Sequence, residues 1–152
     1  MLNPLKRYYE PLGSVMVNFN MLENDLKFAL WRLSGINEQH AADMVIGHVQ
    51  SFDRCIRMFR QLANRRFKDK RTLGRIDSLS KRLRKVNTER NDLVHGKWVS
   101  FGVSATIIRF QDQKEQASWR TVSASPKKIR DDAIRIIRLQ KALRKFIASK
   151  IC

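Results

Sequence analysis

The segment Thr72–Gly96, TLGRIDSLSKRLRKVNTERNDLVHG, has the spacing of one long amphipathic helix. Leu73, Ile76, Leu79, Leu83, Val86 and Leu93 recur at intervals of three, four and seven. That spacing lines one face of a helix and no face of a strand. A helix is therefore expected from about Thr72, with Gly96 at the C′ position that ends it. Beyond Gly96 the pattern changes. Trp98-Val99-Ser100-Phe101 and Ala105-Thr106-Ile107-Ile108-Arg109-Phe110 are rich in β-branched and aromatic residues. Gln111–Lys114 reads as a turn and Trp119-Arg120-Thr121-Val122 as a return strand, so a small β-hairpin is expected over about residues 98–123.

Helices are expected on both sides of this unit. Upstream, Val15, Phe19, Leu22, Leu26, Leu30 and Leu33 have helical spacing, with Ser14 as N-cap and Gly35 as terminator. Pro4, Pro11 and Gly13 make residues 1–13 a lead-in, with at most one short helical piece. Asn37 is placed to cap a short helix through about His48. Ser51 is placed to cap another, with Phe52, Cys55, Ile56, Phe59, Leu62 and Ala63 on one stripe and Arg65–Arg71 as a charged connection. Downstream, Ser125-Pro126 has the residue order of an N-cap followed by N1. Ile129, Ala133, Ile136, Ile137, Leu143 and Ile147 follow as the buried face, with Arg130, Arg135, Arg138, Lys141 and Lys145 over the remainder. The expected fold is mainly α: one domain over residues 1–152, a bundle of four to five helices with a hairpin before the last.

Charge narrows the choice of partner. The 152 residues carry 31 Lys and Arg against 14 Asp and Glu, a net charge of +17. Residues 1–50 are nearly neutral. Residues 53–90 hold fourteen cations and four acids, and residues 126–152 nine and two. Solubility needs far less charge than this. A polyanion, and nucleic acid first, is the expected partner. The residues expected to meet RNA are Arg54, Arg57, Arg60, Arg65 and Arg66, then Lys81, Arg82 and Lys85. Charge alone does not separate RNA from DNA or from anionic lipid. Cys55 and Cys152 lack ligand spacing and read as a core residue and a terminus, the usage of a reducing cytoplasm. No signal-like apolar segment opens the chain, and no apolar run reaches membrane-spanning length.

The end of the long helix concentrates chemistry. In Glu89-Arg90-Asn91-Asp92-Leu93-Val94-His95-Gly96, an Arg, an Asn and a His fall within six residues. His moves protons near neutral pH, and Arg pairs with phosphate oxygens. Together they meet the needs of metal-free RNA cleavage: proton transfer at the 2′-hydroxyl and the leaving 5′-oxygen, and a cation on the crowded phosphorane. The negative end of the helix dipole favours protonated His95. An Arg five to seven residues before a His arises about once by chance in this composition, and an Asn directly after that Arg lowers the expectation to about one in twenty. Arg90 also continues the inward series Ile76, Leu83 at heptad spacing. The plain alternative is an Arg90 that snorkels or pairs with a buried acid, beside a His95 that merely ends a helix. Geometry adds a demand. Five residues place Arg90 and His95 about 140° apart on an ideal helix. A long Arg side chain, a loosened last turn or a second subunit is needed to bring them together.

The pattern Arg90-Asn91-x-x-x-His95 resembles the Arg-x(4–6)-His motif, in its Arg-Asn-x(3)-His form, of HEPN-domain proteins. Those are small helical bundles, many of them metal-independent endoribonucleases. The long motif-bearing helix and a further helix after it are similar too. The resemblance implies that Arg90 and His95 are catalytic and that Asn91 supports them. It implies cleavage to a 2′,3′-cyclic phosphate and a 5′-hydroxyl without metal or cofactor. It also implies a homodimer, a role as toxin or phage-defence effector, and a possible acidic antitoxin or other regulatory partner. Family members paired with nucleotidyltransferase antitoxins often carry a Tyr two residues after the His. This chain has Gly96-Lys97-Trp98, and its hairpin is an elaboration. Glu23, beside the buried stripe of the first long helix, is a candidate orienter of Arg90 or a plain surface carboxylate. Trp98 and Trp119 either stack on bases or pack the hairpin. His40 and His48 lack convergent acids or cysteines for a metal. The alternative functions are a non-catalytic RNA-binding module on the same scaffold, a DNA-binding helical protein, and an interaction module whose basic faces meet an acidic chain.

Overall fold

The computed structural model describes residues 5–38, 46–47, 51–101, 104–113 and 116–151. The fold is mainly α: the described residues form four long helices and a three-stranded antiparallel sheet before the last of them. Helix α1 spans Lys6–Ser34, α2 Phe52–Arg66, α3 Lys70–His95 and α4 Pro126–Lys150. α1 packs along α4 and α2, while α3 packs on α2 and α4, so α1 and α3 face each other across the core. Ion pairs Glu10–Arg130 and Asp25–Arg144 advance together along α1 and α4, which therefore run parallel. Glu89–Arg135 and the stacking of Arg75 on Phe146 run in opposite order, so α3 and α4 are antiparallel.

Helix α1 begins eight residues before the expected Ser14 cap. Its N-cap position, Leu5, makes no side-chain cap, and Ser14 lies inside the helix, where its carbonyl accepts from Asn18 Nδ2 at 2.8 Å. The reason is burial. Tyr8, Pro11 and Val15 extend the stripe of Phe19, Leu22, Leu26, Leu30 and Leu33 into the core. That burial offsets the backbone bond Pro11 cannot make, a loss smallest near a helix start. Gly35 ends the helix in the left-handed conformation, φ 70°, as its lack of Cβ allows.

Two later caps form where the sequence places them. Ser51 Oγ accepts from the Arg54 amide, and Ser125 Oγ accepts from the Lys128 amide with Pro126 in the first turn. The charged connection is shorter than Arg65–Arg71: α2 runs to Arg66, and Asp69 caps α3 by accepting from the Thr72 amide at 2.8 Å. The helix expected from Asn37 to His48 falls outside the described residues, apart from a helical Ile46–Gly47. His40, His48 and Cys152 lie outside them as well. Cys55 is buried in the core and unbridged.

The hairpin is a three-stranded meander. Strands β1 (Lys97–Phe101), β2 (Ser104–Gln113) and β3 (Gln116–Ala124) pair in that order, with Trp98 opposite Ile107 and Ile107 opposite Val122. The turn expected over Gln111–Lys114 does not begin at Gln111. Gln111–Gln113 continue the ladder opposite Gln116–Ser118, because backbone pairing needs no apolar side chains to persist. Tyr8 fastens the sheet to the bundle. Its hydroxyl accepts from the Ala105 amide at 3.2 Å and donates to the Ala124 carbonyl at 3.4 Å. Its ring meets Trp98 edge-on at 5.4 Å. No helix among the described residues is long and apolar enough to cross a membrane.

Candidate active site

The motif residues occupy the last two turns of α3, and those turns are regular. Helical structure continues through His95, and the Gly96 amide still donates to the Asp92 carbonyl at 3.1 Å. Gly96 is extended, φ −78° and ψ 149°, rather than left-handed, because the chain passes straight into β1. Trp98 holds this junction from the other side: its Nε1 donates to the Leu93 carbonyl at 2.9 Å. This bond and the Tyr8 contact make Trp98 a packing residue. The side chain of Trp119 lies outside the described residues.

Arg90 turns inward. Its guanidinium carbon sits 4.3 Å from the centroid of Phe19, a fully buried ring on α1 that stacks in turn on Phe52 at 4.7 Å. Nη1 donates to Asn91 Oδ1 at 2.8 Å. Nε is buried without a hydrogen-bond partner among the described residues. No carboxylate among the described residues forms an ion pair with Arg90. Glu23, read as its candidate orienter, instead binds Lys27 one turn along its own helix at 2.9 Å, the natural i,i+4 pairing. A planar guanidinium on an aromatic face keeps its edge available for hydrogen bonds in the ring plane. With Nε buried and Nη1 taken by Asn91, Nη2 is the donor of that edge left for a ligand.

His95 lies elsewhere on the helix. It is exposed, with half-buried Asn91 one turn before it and Val94 beside it, the last 41% exposed. Arg90 and Asn91 are brought together. Arg90 and His95 are on a regular helix at five-residue separation, about 140° apart. The loosened last turn, one of the three ways to join them, does not occur.

No family model, curated protein or solved structure matches this chain. The site is therefore read from its own geometry. On the far side of α3 from Arg90's platform, Asp92 is buried, and Arg120 Nη2 of β3 donates to both of its oxygens at 2.6 Å. Beside that pair a cavity of about 220 Å³ opens between α3, β3 and α4, with Glu89, Asp132 and Lys128 in its wall. Arg135 binds both Glu89, at 3.1 Å, and Asp132. Burial nevertheless pushes both carboxyls above their usual range, with each one's proximity to other acids and cations secondary. Neither Phe19 nor the Asp92–Arg120 pair was visible in the motif itself. An acid directly before buried Leu93 was the available signal for the second. Among the described residues no cluster of three or more His, Cys, Asp or Glu is placed to hold a metal ion.

The expected RNA-binding cations divide. Arg57 is paired with Asp53, and Arg60 Nη2 with Asp77 at 2.8 Å. Arg66 donates to the Arg32 and Ile151 carbonyls. Arg54, Arg65, Lys81, Arg82 and Lys85 are exposed and make no ion pair among the described residues.

Proposed function

We propose that the protein is a metal-independent endoribonuclease of HEPN type that works as a homodimer. The observation that carries this is Arg90: a half-buried cation with no carboxylate partner among the described residues, stacked on Phe19 and hydrogen-bonded to Asn91, which lies one turn before an exposed His95. A charge in that position costs stability and is explained by a ligand it must meet. In this reading Arg90 binds the phosphate and stabilises the phosphorane, Asn91 fixes the guanidinium, and His95 transfers the proton at the 2′- or 5′-oxygen. Because the last turn of α3 is regular and the Arg90 side chain runs inward onto Phe19, this reading has His95 of one copy serve with Arg90 of the other. Exposed Val94 beside His95 favours such a contact. A toxin or phage-defence role and regulation by an acidic partner follow the family resemblance.

The test is RNA cleavage by purified protein in excess EDTA. Products should end in a 2′,3′-cyclic phosphate and a 5′-hydroxyl. His95→Ala and Arg90→Ala should each lower the rate by about two orders of magnitude or more. Mixing the two inactive variants should restore activity, since one composite site then holds both residues. Cleavage that chelator abolishes, or that His95→Ala retains, refutes the proposal.

A further inference from the structure

We infer that the seam between α3 and α4 is the groove that holds the phosphate backbone of single-stranded RNA. Two stripes meet there. On α3, Arg75, Ser78, Arg82, Lys85 and Glu89 follow one another at three- and four-residue steps, a single face of a helix. On α4, Arg135, Arg138, Ala142 and Lys145 do the same. The faces meet: Glu89 binds Arg135, Arg82 and Ala142 line one cleft of about 200 Å³, and Arg75 stacks on Phe146 at 5.6 Å. Ser78, Leu79 and Ala142 line that cleft with the α3 cations Arg75 and Arg82, and Arg138 and Lys145 lie about one turn to either side of Ala142 on α4.

Arg75 stacks on Phe146, but no carboxylate among the described residues pairs with these cations. Arg75, Arg82, Lys85, Arg138 and Lys145 are exposed and form no ion pair among the described residues. No Asp or Glu occurs between Ala133 and Lys150. On α3 between Lys70 and Thr88 the one acid is Asp77, which Arg60 neutralises on the side facing α2. The cations of α2, by contrast, are partly cancelled within the protein. The seam therefore carries five exposed cations with no acid along its length until Glu89 at its end.

Shape selects the ligand. Arg75 and Lys85 are about 15 Å apart along the axis, with Arg82 between them. Packed helices lie about 8–10 Å apart axis to axis, so their side chains meet and leave a shallow surface channel that can follow one phosphate backbone and cannot enclose a duplex. Backbone phosphates along it meet cations from both helices, with no demand on base sequence. The channel runs toward the end of α3 that carries His95, so as a substrate path it rests on the ribonuclease reading. As a binding groove it does not.

Binding should be measured by fluorescence anisotropy over a salt series, with a 2′-O-methyl oligoribonucleotide that 2′-hydroxyl attack cannot cleave. Replacing three seam cations, R82Q, K85Q and R138Q together, should weaken binding at least tenfold at low salt. It should also flatten the slope of log K against log salt by about 2, at roughly 0.7 per lost phosphate contact. Neutralising Lys6, Lys68 and Lys127, exposed cations outside the seam, should change the slope by less than half as much. Circular dichroism should show both variants melting as the parent does. An unchanged slope in the seam variant, an equal loss in the control, or tighter binding to a duplex of the same length overturns the inference. So does competition by phosphatidylserine vesicles as effective as competition by RNA. If unmodified RNA is bound through the seam but never cut, the groove stands and the ribonuclease reading falls. If it is cut equally well by the seam variant, the reverse holds.

Discussion

Arg90 separates stability from chemistry at the scale of one residue. Its stacking on Phe19 supplies a cation–π attraction, but its half-buried charge lacks a carboxylate and its Nε lacks a partner among the described residues. Replacing an imperfectly compensated internal charge by an apolar side chain of similar length is often neutral or stabilising. Arg90→Met is therefore expected to keep or raise the melting temperature while abolishing cleavage. A fall of several degrees, equivalent to about 1–2 kcal/mol in a chain of this size, would make Arg90 a structural residue instead. Asp92 should behave in the opposite way. It is buried and bound by Arg120, itself 42% exposed at the side chain, so solvent weakens the pair without removing its role. Asp92→Ala should destabilise by about 1–3 kcal/mol in denaturant unfolding, mainly through the hydrogen bonds left unmade. The inward direction of Arg90 was legible from its heptad spacing with Ile76 and Leu83. Its aromatic platform was not, because Phe19 lies 71 positions earlier and periodicity reports faces, not partners.

The same divide holds for whole elements. Caps written in short local patterns, Ser51 and Ser125-Pro126, formed as read, since each needs only its own next three residues. The start of α1 was misread, because Pro11 and Gly13 are local signals against helix and the burial of Tyr8 and Val15 is a tertiary one. Tyr8 also shows why the sheet could not be placed in advance: its hydroxyl satisfies backbone groups about a hundred residues away. Tyr8→Phe should expose that dependence, with faster hydrogen exchange at the Ala105 amide and little change in α2. The carboxylates at the two ends of α3, with Asp132 of α4 beside the second, respond to pH in opposite senses. The Thr72 N–H held by Asp69 keeps its carboxyl below the usual range, so its contribution is present above the unfolded pKa and lost as pH falls through the folded one. Burial raises Glu89 and Asp132, so their contribution is full below the unfolded pKa and declines as pH rises through the folded values. Melting followed between about pH 4 and 6 should show the wild type losing stability relative to the Glu89→Gln, Asp132→Asn double variant. Parallel curves would mean that Arg135 already cancels the cost of burial.

For the molecule as a whole, 31 cations against 14 acids cannot all be paired, and part of the excess lies on faces that folding brings together. Neighbouring α3 and α4 set Arg82 and Lys85 opposite Arg138 and Lys145, so helix packing there works against like-charge repulsion. Salt then has two competing effects. It weakens exposed pairs such as Arg130–Glu10, which contribute at most about 1 kcal/mol each, and it screens the repulsion of the unpaired majority. Repulsion should win, because the cations outnumber the acids by more than two to one. Raising the ionic strength from about 0.01 to 0.1 M shortens the screening length from about 30 to 10 Å, below the span of either basic stripe. The melting temperature is therefore expected to rise with sodium chloride. R82Q, K85Q and R138Q together should rise less steeply and start higher, having lost part of the repulsion that salt relieves. A melting temperature that falls with salt would show that surface pairs dominate.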